Sequence, residues 1–320
     1  MFSIRPFQPT DAEYEAIAAV EKAVYPENAD TVADFKHADA SREPEQFFQR
    51  WVVAENGRIL AFAQLQQQIH SSTSGHYRFH ITVHPDFERR GVGTAVYNQI
   101  WQTLQTQDPH PAVLDAHCYQ HHQQAVRFLE KRGFRQVMRW VITRMELPKF
   151  DITPFEPLIS KRQTQGISFV TLPQLQQLNE NWLEALHELD WQLVQDEPLP
   201  YTPKKMPQEQ FKKMFIESPN VLPDGWMIAL ENGQTIGNSN LDKGPMPGGL
   251  STGFTGVMRD YRRRGLATAL KALSLNWAKQ AGYQFIRTGN EEHNPMLTLN
   301  KKLGFQEVTA SLAFEKSVTP

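Results

Sequence analysis

The chain has 320 residues, a formal net charge of −2 and 40% apolar residues, a length that exceeds one ordinary core and fits two domains of roughly 150 residues each. The near-zero charge gives no electrostatic reason for a nucleic-acid or anionic-membrane partner, and neither is expected. A single cysteine, Cys118, excludes an internal disulfide, no run approaches the roughly 18 apolar residues of a membrane helix, and the opening MFSIRPFQPTDAEYEA has no signal-peptide core, so cytoplasm is the expected location.

In chain order, residues 2–7 read as a strand and Thr10-Asp11-Ala12-Glu13 as a capped helix start, with the helix running to Val24. A second helical piece is expected between residues 31 and 49. Strands at 51–55 and 59–66 flank Asn56-Gly57, a strong hairpin signal. Phe79, Ile81 and Val83 alternate with His80 and Thr82, which predicts a strand ending at Pro85. A glycine motif follows, then a helix with Val92, Val96, Ile100 and Leu104 on one side. A strand at 112–116, a helix at 123–131 stopped by Gly133, and a long strand at 134–147 complete the half.

Residues 148–166 hold three prolines and no sustained period, and read as a linker. The order then repeats: strand 167–171, helix 175–194, a Pro-rich loop to Pro207 and another helix. Strands at 226–231 and 235–241 flank Asn232-Gly233. A strand at 254–258 leads into a second glycine motif, whose helix carries Leu266, Leu270, Leu273 and Trp277. Strand 284–288 and a helix over 297–302, stopped by Gly304-Phe305, close the pattern. The expected domains are 1–148 and 167–320, joined by a linker at 149–166.

The two motifs, ERRGVGTAV from Glu88 and YRRRGLATAL from Tyr261, match Arg90, Gly91, Thr94 and Ala95 to Arg264, Gly265, Thr268 and Ala269 at a constant offset of 174 residues. A strand entering a helix through such a loop presents unpaired backbone N–H groups and the positive end of the helix dipole. Gly91 and Gly93 permit close approach of phosphate oxygens. Arg89, Arg90, Arg262, Arg263 and Arg264 crowd an end where the dipole disfavours cations, a conflict an anionic partner relieves. Neither G-x-G-x-x-G nor G-K-[ST] is present, so the nucleotide-binding versions of this loop do not apply.

These residues resemble a known family. V-x-P-x-x-x-R-R-G-V-G-T-A from Val83, and T-G-V-x-x-x-Y-R-R-R-G-L-A-T-A-L from Thr255, are similar to the acetyl-CoA motif of the GNAT N-acetyltransferases. A-V-R-F-L-E-K-R-G-F from Ala125 and N-P-M-L-T-L-N-K-K-L-G-F from Asn294 resemble that family's second cofactor-binding helix. The likeness spans nearly the whole chain as a tandem arrangement. It implies a mixed α/β fold of two GNAT-like domains, each a mostly antiparallel twisted sheet flanked by helices. It implies acetyl-CoA as cofactor, and direct attack by an amine without an acyl-enzyme.

Carried onto this sequence, the resemblance assigns cofactor binding to Ile81, Val83, Arg89, Arg90, Gly91, Val92, Gly93 and Thr94 in the first half. In the second it assigns Thr255, Val257, Met258, Arg262, Arg263, Arg264, Gly265, Leu266, Ala267, Thr268 and Asn294. The strand before each motif splays from its neighbour to bind the pantetheine arm, and one of its amides serves as an oxyanion donor.

The copies differ. Where the family has Gln or Arg three residues before the first glycine, the second copy has Arg262 and the first Glu88. Like charges about 5 Å apart cost roughly 1–3 kcal/mol. The family's tyrosine, which protonates the leaving thiolate, falls on Asn300 and Leu129. Asn300 can hydrogen-bond the sulfur and Leu129 cannot, so the second half is expected to be catalytic. An ammonium must lose a proton before it attacks, which requires a base. Glu291, Glu292 and His293 stand near the expected thioester, a solvated helix-cap cluster being the other reading. Asp196 and Glu197 are candidates to bind a cationic amine. His117, His121 and His122 come with no carboxylate or thiolate partner, and no metal is expected. The leading expectation is N-acetylation of a small-molecule amine. A non-enzymatic acyl-CoA-binding module and acetylation of a protein amine are the alternatives.

Overall fold

The computed structural model describes residues 2–318. The chain begins with β1 (Ser3–Pro6), α1 (Asp11–Val24), α2 (Val32–Ala40), β2 (Phe48–Glu55), β3 (Arg58–Gln67) and β4 (His76–Val83). It continues with α3 (Val92–Leu104), β5 (Val113–Tyr119), α4 (Gln123–Glu130) and β6 (Arg135–Glu146). Next come α5 (Glu156–Thr164), β7 (Ile167–Thr171), α6 (Leu172–Leu178), α7 (Trp182–Val194), α8 (Gln208–Phe211) and β8 (Met227–Glu231). The last elements are β9 (Gln234–Lys243), β10 (Gly249–Val257), α9 (Leu266–Gln280), β11 (Phe285–Glu291), α10 (Pro295–Lys302) and β12 (Gln306–Ser317).

The architecture is mixed α/β in two compact units. Among the described residues the first takes 2–139, Pro200–Lys204 and 311–318, and the second takes Trp140–Leu199 and Lys205–Ala310. In the first, the strand order is β1-β2-β3-β4-β5 followed by residues 311–317 of β12. In the second it is residues 140–146 of β6, then β11-β10-β9-β8-β7. Each sheet thus takes one strand from the other half of the sequence. Within each unit the pairings are antiparallel except β4 with β5 and β10 with β11.

Local chemistry explains most boundaries. Thr10 caps α1 by accepting from the Glu13 N–H, and Thr31 forms a reciprocal capping box with Asp34. Asn56 and Gly57, and again Asn232 and Gly233, take the positive φ of a tight hairpin turn. On α3, Val92, Val96, Ile100 and Leu104 are all buried in the first core, against Ala63, Leu65, Tyr77 and Phe79. Trp51 and Trp226 are core residues, while Trp101 and Trp277 are half-buried against their cores.

Three elements differ from expectation. The helix expected over 31–49 ends at Ala40, and β2 already starts at Phe48. The helix expected over 175–194 is two helices, because Thr171 and Gln174 cap α6 at Leu172 and the Asn179 side chain captures the Asn181 N–H. Residues 156–164, inside the segment read as a linker, form α5. The proline of this helix lies in its first turn, where no N–H is needed.

Candidate functional site

In the first unit β4 and β5 pair only at His76–Val113, Tyr77–Leu114 and Arg78–Asp115. Beyond Arg78, β4 continues against β3 while β5 follows β12, so the strands diverge into a V. The second unit repeats this: β10 and β11 pair at Gly249–Phe285, Leu250–Ile286 and Ser251–Arg287, then separate. A splayed parallel pair leaves strand edges with backbone donors and acceptors facing the gap.

The loops closing the two gaps have nearly one conformation. Arg89 and Arg263 are left-handed at φ 58 and 62, and Gly91 and Gly265 at φ 82 and 76. Each glycine starts its helix without a side-chain cap, and the first intrahelical bonds run from Ala95 N–H to Gly91 C=O and from Ala269 N–H to Gly265 C=O. The N–H groups of the turn between are left for an anion.

What surrounds the loops differs. In the first unit the gap and loop open into one cavity of about 670 Å³. Its walls include Ile81, Val83, Glu88, Arg89, Gly91, Gly93 and Thr94. A Cβ built on Gly91 would meet no atom within 4 Å, so the approach to the loop is clear. Val92 is buried in the core, and the Thr94 hydroxyl accepts from Arg132 Nη2 at 3.0 Å. Arg90 stands over the Phe87 ring at 5.2 Å and within 3.3 Å of a Glu55 carboxylate oxygen. Cys118 also lines this cavity, its thiol pushed up to about 11 by burial, so it is no thiolate nucleophile.

In the second unit the corresponding cavity is about 320 Å³. Leu158 of α5 lies over the loop: a Cβ on Gly265 would sit 2.9 Å from Leu158 Cδ1. Asp196 forms ion pairs with Arg259 and Arg262, and Arg262 Nε also donates to the Val257 carbonyl at 2.9 Å. The Arg259 hydrogen bond, first among its causes, holds the Asp196 carboxyl below the usual range. The arginine crowding seen in the sequence therefore has an internal anion here. Arg264 lies 3.3 Å from a Glu231 carboxylate oxygen, and Arg263 carries the left-handed turn. Met258 donates its N–H to Ile236, Leu266 is core, and Thr255 bonds Ser239 through its hydroxyl. Ala267, Glu197 and Asn294 line the cavity, Asn294 also capping α10 through the Met296 N–H. The register of β9 with β10 shifts between Thr252 and Thr255, a bulge that re-aims the Phe254 N–H, which the Asn240 side chain then takes at 2.6 Å.

The expected acid and base residues do not share that cavity. Glu291, Glu292 and His293 are clustered at the end of β11 and just after it, with ligand-type atoms within 4.8 Å of one another, and the cavity walls there are instead Thr288, Gly289, Asn290 and Asn294 to Met296. Asn300 is fully buried and donates to Asn290 Oδ1 at 2.6 Å. Lys271, which the sequence pattern left unremarked, is 2% exposed on α9 and lines the cavity. Burial lowers its pKa to about 7.

Sequence reasoning also missed a second cavity in the first unit, of about 160 Å³, that contains Glu21, Asp30 and His80. Its one legible signal was Glu21 itself. Tyr14, Ile17 and Glu21 lie at helical spacing on the buried face of α1, where a carboxylate is out of place. His117, lowered to about 4 chiefly by burial, lines both cavities, while His121 and His122 line the larger one.

Comparison with known proteins decides the family. The acetyltransferase (GNAT) family model matches residues 13–134 and again 184–305. The chain belongs to the GNAT acetyltransferases, in tandem arrangement. Over the whole chain it is similar to a tandem GNAT protein from the clavulanic acid biosynthesis pathway, at 18% identity and TM-score 0.76 with 99% of that chain covered. It is similar at 18% identity and TM-score 0.70 to a GCN5-related N-acetyltransferase from Sphaerobacter thermophilus, of which 96% is covered. Saccharomyces cerevisiae N-myristoyltransferase aligns over the full chain at 11% identity, TM-score 0.63 and 79% of its own length. At these identities the likeness is one of fold. No curated protein sequence matches. Family membership supports acyl transfer. No helix among the described residues is long and apolar enough to cross a membrane.

Proposed function

We propose that this GNAT protein is an acetyl-CoA-dependent N-acetyltransferase that acylates a small-molecule amine, and that the first unit holds the acyl-CoA. Bound there, acetyl-CoA supplies an activated thioester. The observation that carries the assignment is the uncovered loop at Gly91 opening into a cavity of about 670 Å³. The free N–H groups of the first α3 turn and Arg89 suit a pyrophosphate. The unpaired edge of β4 past Arg78, which contains Ile81 and Val83, suits the amides of a pantetheine arm. Glu88 lies beside the loop and tempers its positive potential, with Arg89 and Arg90 offsetting it.

Sequence comparison favoured the second half for catalysis, on Arg262 and Asn300. Two observations support that second reading, the bulge in β10 and the position of Arg262. Against it stand Leu158 over the loop and Asp196 on the arginines. Arg90→Ala with Gly91→Asp is expected to weaken acetyl-CoA binding, measured by calorimetry, more than about 30-fold, and Arg262→Ala to leave it. The reverse pattern assigns the acyl-CoA to the second unit. Coenzyme A thiol release, followed across a panel of small amines, tests the reaction. Tight acetyl-CoA binding with no turnover of any amine or lysine peptide supports the non-enzymatic binding module instead.

A further inference from the structure

The smaller cavity of the first unit adjoins the larger one, and Phe79, His80 and His117 line both. Its other walls include Glu21, Asp30, Gln64, Gln66, Phe35 and Phe62. We propose that this cavity is the acceptor pocket for a small cationic amine, that His80 takes the proton from that amine, and that Thr82 and Glu21 position His80. The proposal rests on the reading of the larger cavity as the acyl-CoA site.

Hydrogen-bond direction carries the argument. Thr82 Oγ1 lies 3.3 Å from Glu21 Oε2 and 2.6 Å from His80 Nε2, while His80 Nε2 is 3.9 Å from the same carboxylate oxygen. A threonine hydroxyl has one proton to donate. Burial raises the Glu21 carboxyl to about 7; above that pH, with Glu21 ionised, the proton goes to the carboxylate, so Thr82 accepts from His80 Nε2–H. The neutral ring then carries its proton on Nε2, and the Nδ1 lone pair becomes the basic site. A buried carboxylate thus fixes the tautomer of a histidine through one hydroxyl, the orienting logic of a nucleophile–base–carboxylate triad.

Position agrees with this role. His80 is on β4 beyond the point where β4 leaves β5, between the two cavities. The titratable and charged groups around it are Glu21 and Tyr25 at the end of α1, Asp30 after it, Arg78 on its own strand and His117 on β5. Arg78 is held by both oxygens of Asp115, which spends its charge. Two carboxylates, two amides and three phenyl rings remain, a lining that suits an ammonium group. A cavity of about 160 Å³ holds roughly five water volumes, so it takes a small amine or the amine end of a longer one.

The bookkeeping of the step closes. The amine lone pair forms the C–N bond to the acetyl carbonyl carbon and the C–S bond breaks, its electron pair leaving on sulfur. An ammonium substrate sheds two protons in reaching the amide. His80 Nδ1 relays them in turn, one ending on the coenzyme A thiol and the other in solvent.

Burial lowers the pKa of His80 below its ordinary 6.5, so it is a neutral base at pH 7. Burial also raises Asp30 to about 6 and Glu21 to about 7, so in the wild type the limb over which kcat/KM for the amine rises, up to about pH 7, carries both carboxylates as well as His80. His80→Gln should lower kcat about 100-fold or more and remove the His80 part of that limb, leaving the carboxylate part, with acetyl-CoA binding within about twofold of wild type. Thr82→Val should lower kcat roughly tenfold and displace the limb, and Thr82→Ser should restore both. Glu21→Gln should raise KM for the amine. If His80→Gln loses acetyl-CoA binding through misfolding, Thr82→Val against Thr82→Ser decides. A kcat for His80→Gln within threefold of wild type overturns the proposal, as does an unmoved limb in Thr82→Val. Acetyl-CoA bound at the first unit without turnover of any primary amine in the panel also overturns it, and leaves the cofactor reading standing. Binding unaffected by Arg90→Ala with Gly91→Asp overturns that cofactor reading instead.

Discussion

Arg89 to Gly91 and Arg263 to Gly265 trace almost the same backbone, and both precede an uncapped helix beside a splayed strand pair. Around the first loop the space is clear, with a cavity of about 670 Å³ beside it. Leu158 lies over the second, and Asp196 takes up Arg259 and Arg262. Backbone geometry makes an anion cradle, but only the surroundings decide whether an anion can reach it. A side-chain carboxylate satisfies the arginine charge as a phosphate would.

The sharpest way to break this contrast is the pair of loop variants. Arg90→Ala with Gly91→Asp should cut acetyl-CoA affinity more than about 30-fold, since it removes a cation, adds a carboxylate and puts a Cβ at positive φ. Arg262→Ala should change that affinity less than about twofold, because that arginine already serves Asp196. Equal losses from both would mean that both clefts bind.

Stability separates the units next. Lys271→Met should stabilise the fold by a few kcal/mol at pH 7 in urea unfolding, since it removes a lysine whose charge burial disfavours. The sign follows from the depressed pKa. Between about 7 and the ordinary 10.5 the unfolded chain binds more protons, so wild-type stability gains from this group as pH rises. The advantage of the variant should therefore be full at pH 7 and below, and shrink toward pH 10. Tyr97 occupies the matching place on α3 in the first unit and should show no such pH dependence when changed to Phe.

Glycine substitutions give a smaller contrast. Gly91→Ala should cost about 1–2 kcal/mol for its left-handed φ alone. Gly265→Ala bears the same strain plus the contact with the Leu158 methyls, and because that half-buried side chain can shift it should cost at most about 1 kcal/mol more. Adding Leu158→Ala should relieve that extra cost without restoring the backbone term. Asp196→Asn is expected to have the smallest effect on thermal melting, below about 1 kcal/mol, because its partners Arg259 and Arg262 are well exposed. The wild-type Asp196 contribution is present at neutral pH and lost as pH falls through its depressed range. Any gain in acetyl-CoA binding by Asp196→Asn would show that the carboxylate competes with the coenzyme.

Much of the fold was legible because local rules act over short distances. Asn56-Gly57 and Asn232-Gly233 forced hairpin turns, the valine and leucine stripe marked the buried face of α3, and the two arginine–glycine loops announced a repeated anion cradle. The family, the tandem arrangement and the mixed α/β class were within reach of the residues alone. The environments were not. Proline at the start of α5 hid a helix that lays Leu158 on Gly265, and nothing in the motif foretold Asp196 on Arg262. Glu21, Thr82 and His80 come from a helix and a strand some 60 residues apart, so no spacing rule joins them. Sequence determines where a chain can turn, cap and bury a face, because those preferences act between neighbouring residues. Which carboxylate meets which cation, and which loop stays open, depends on side chains that meet only after the sheets have formed.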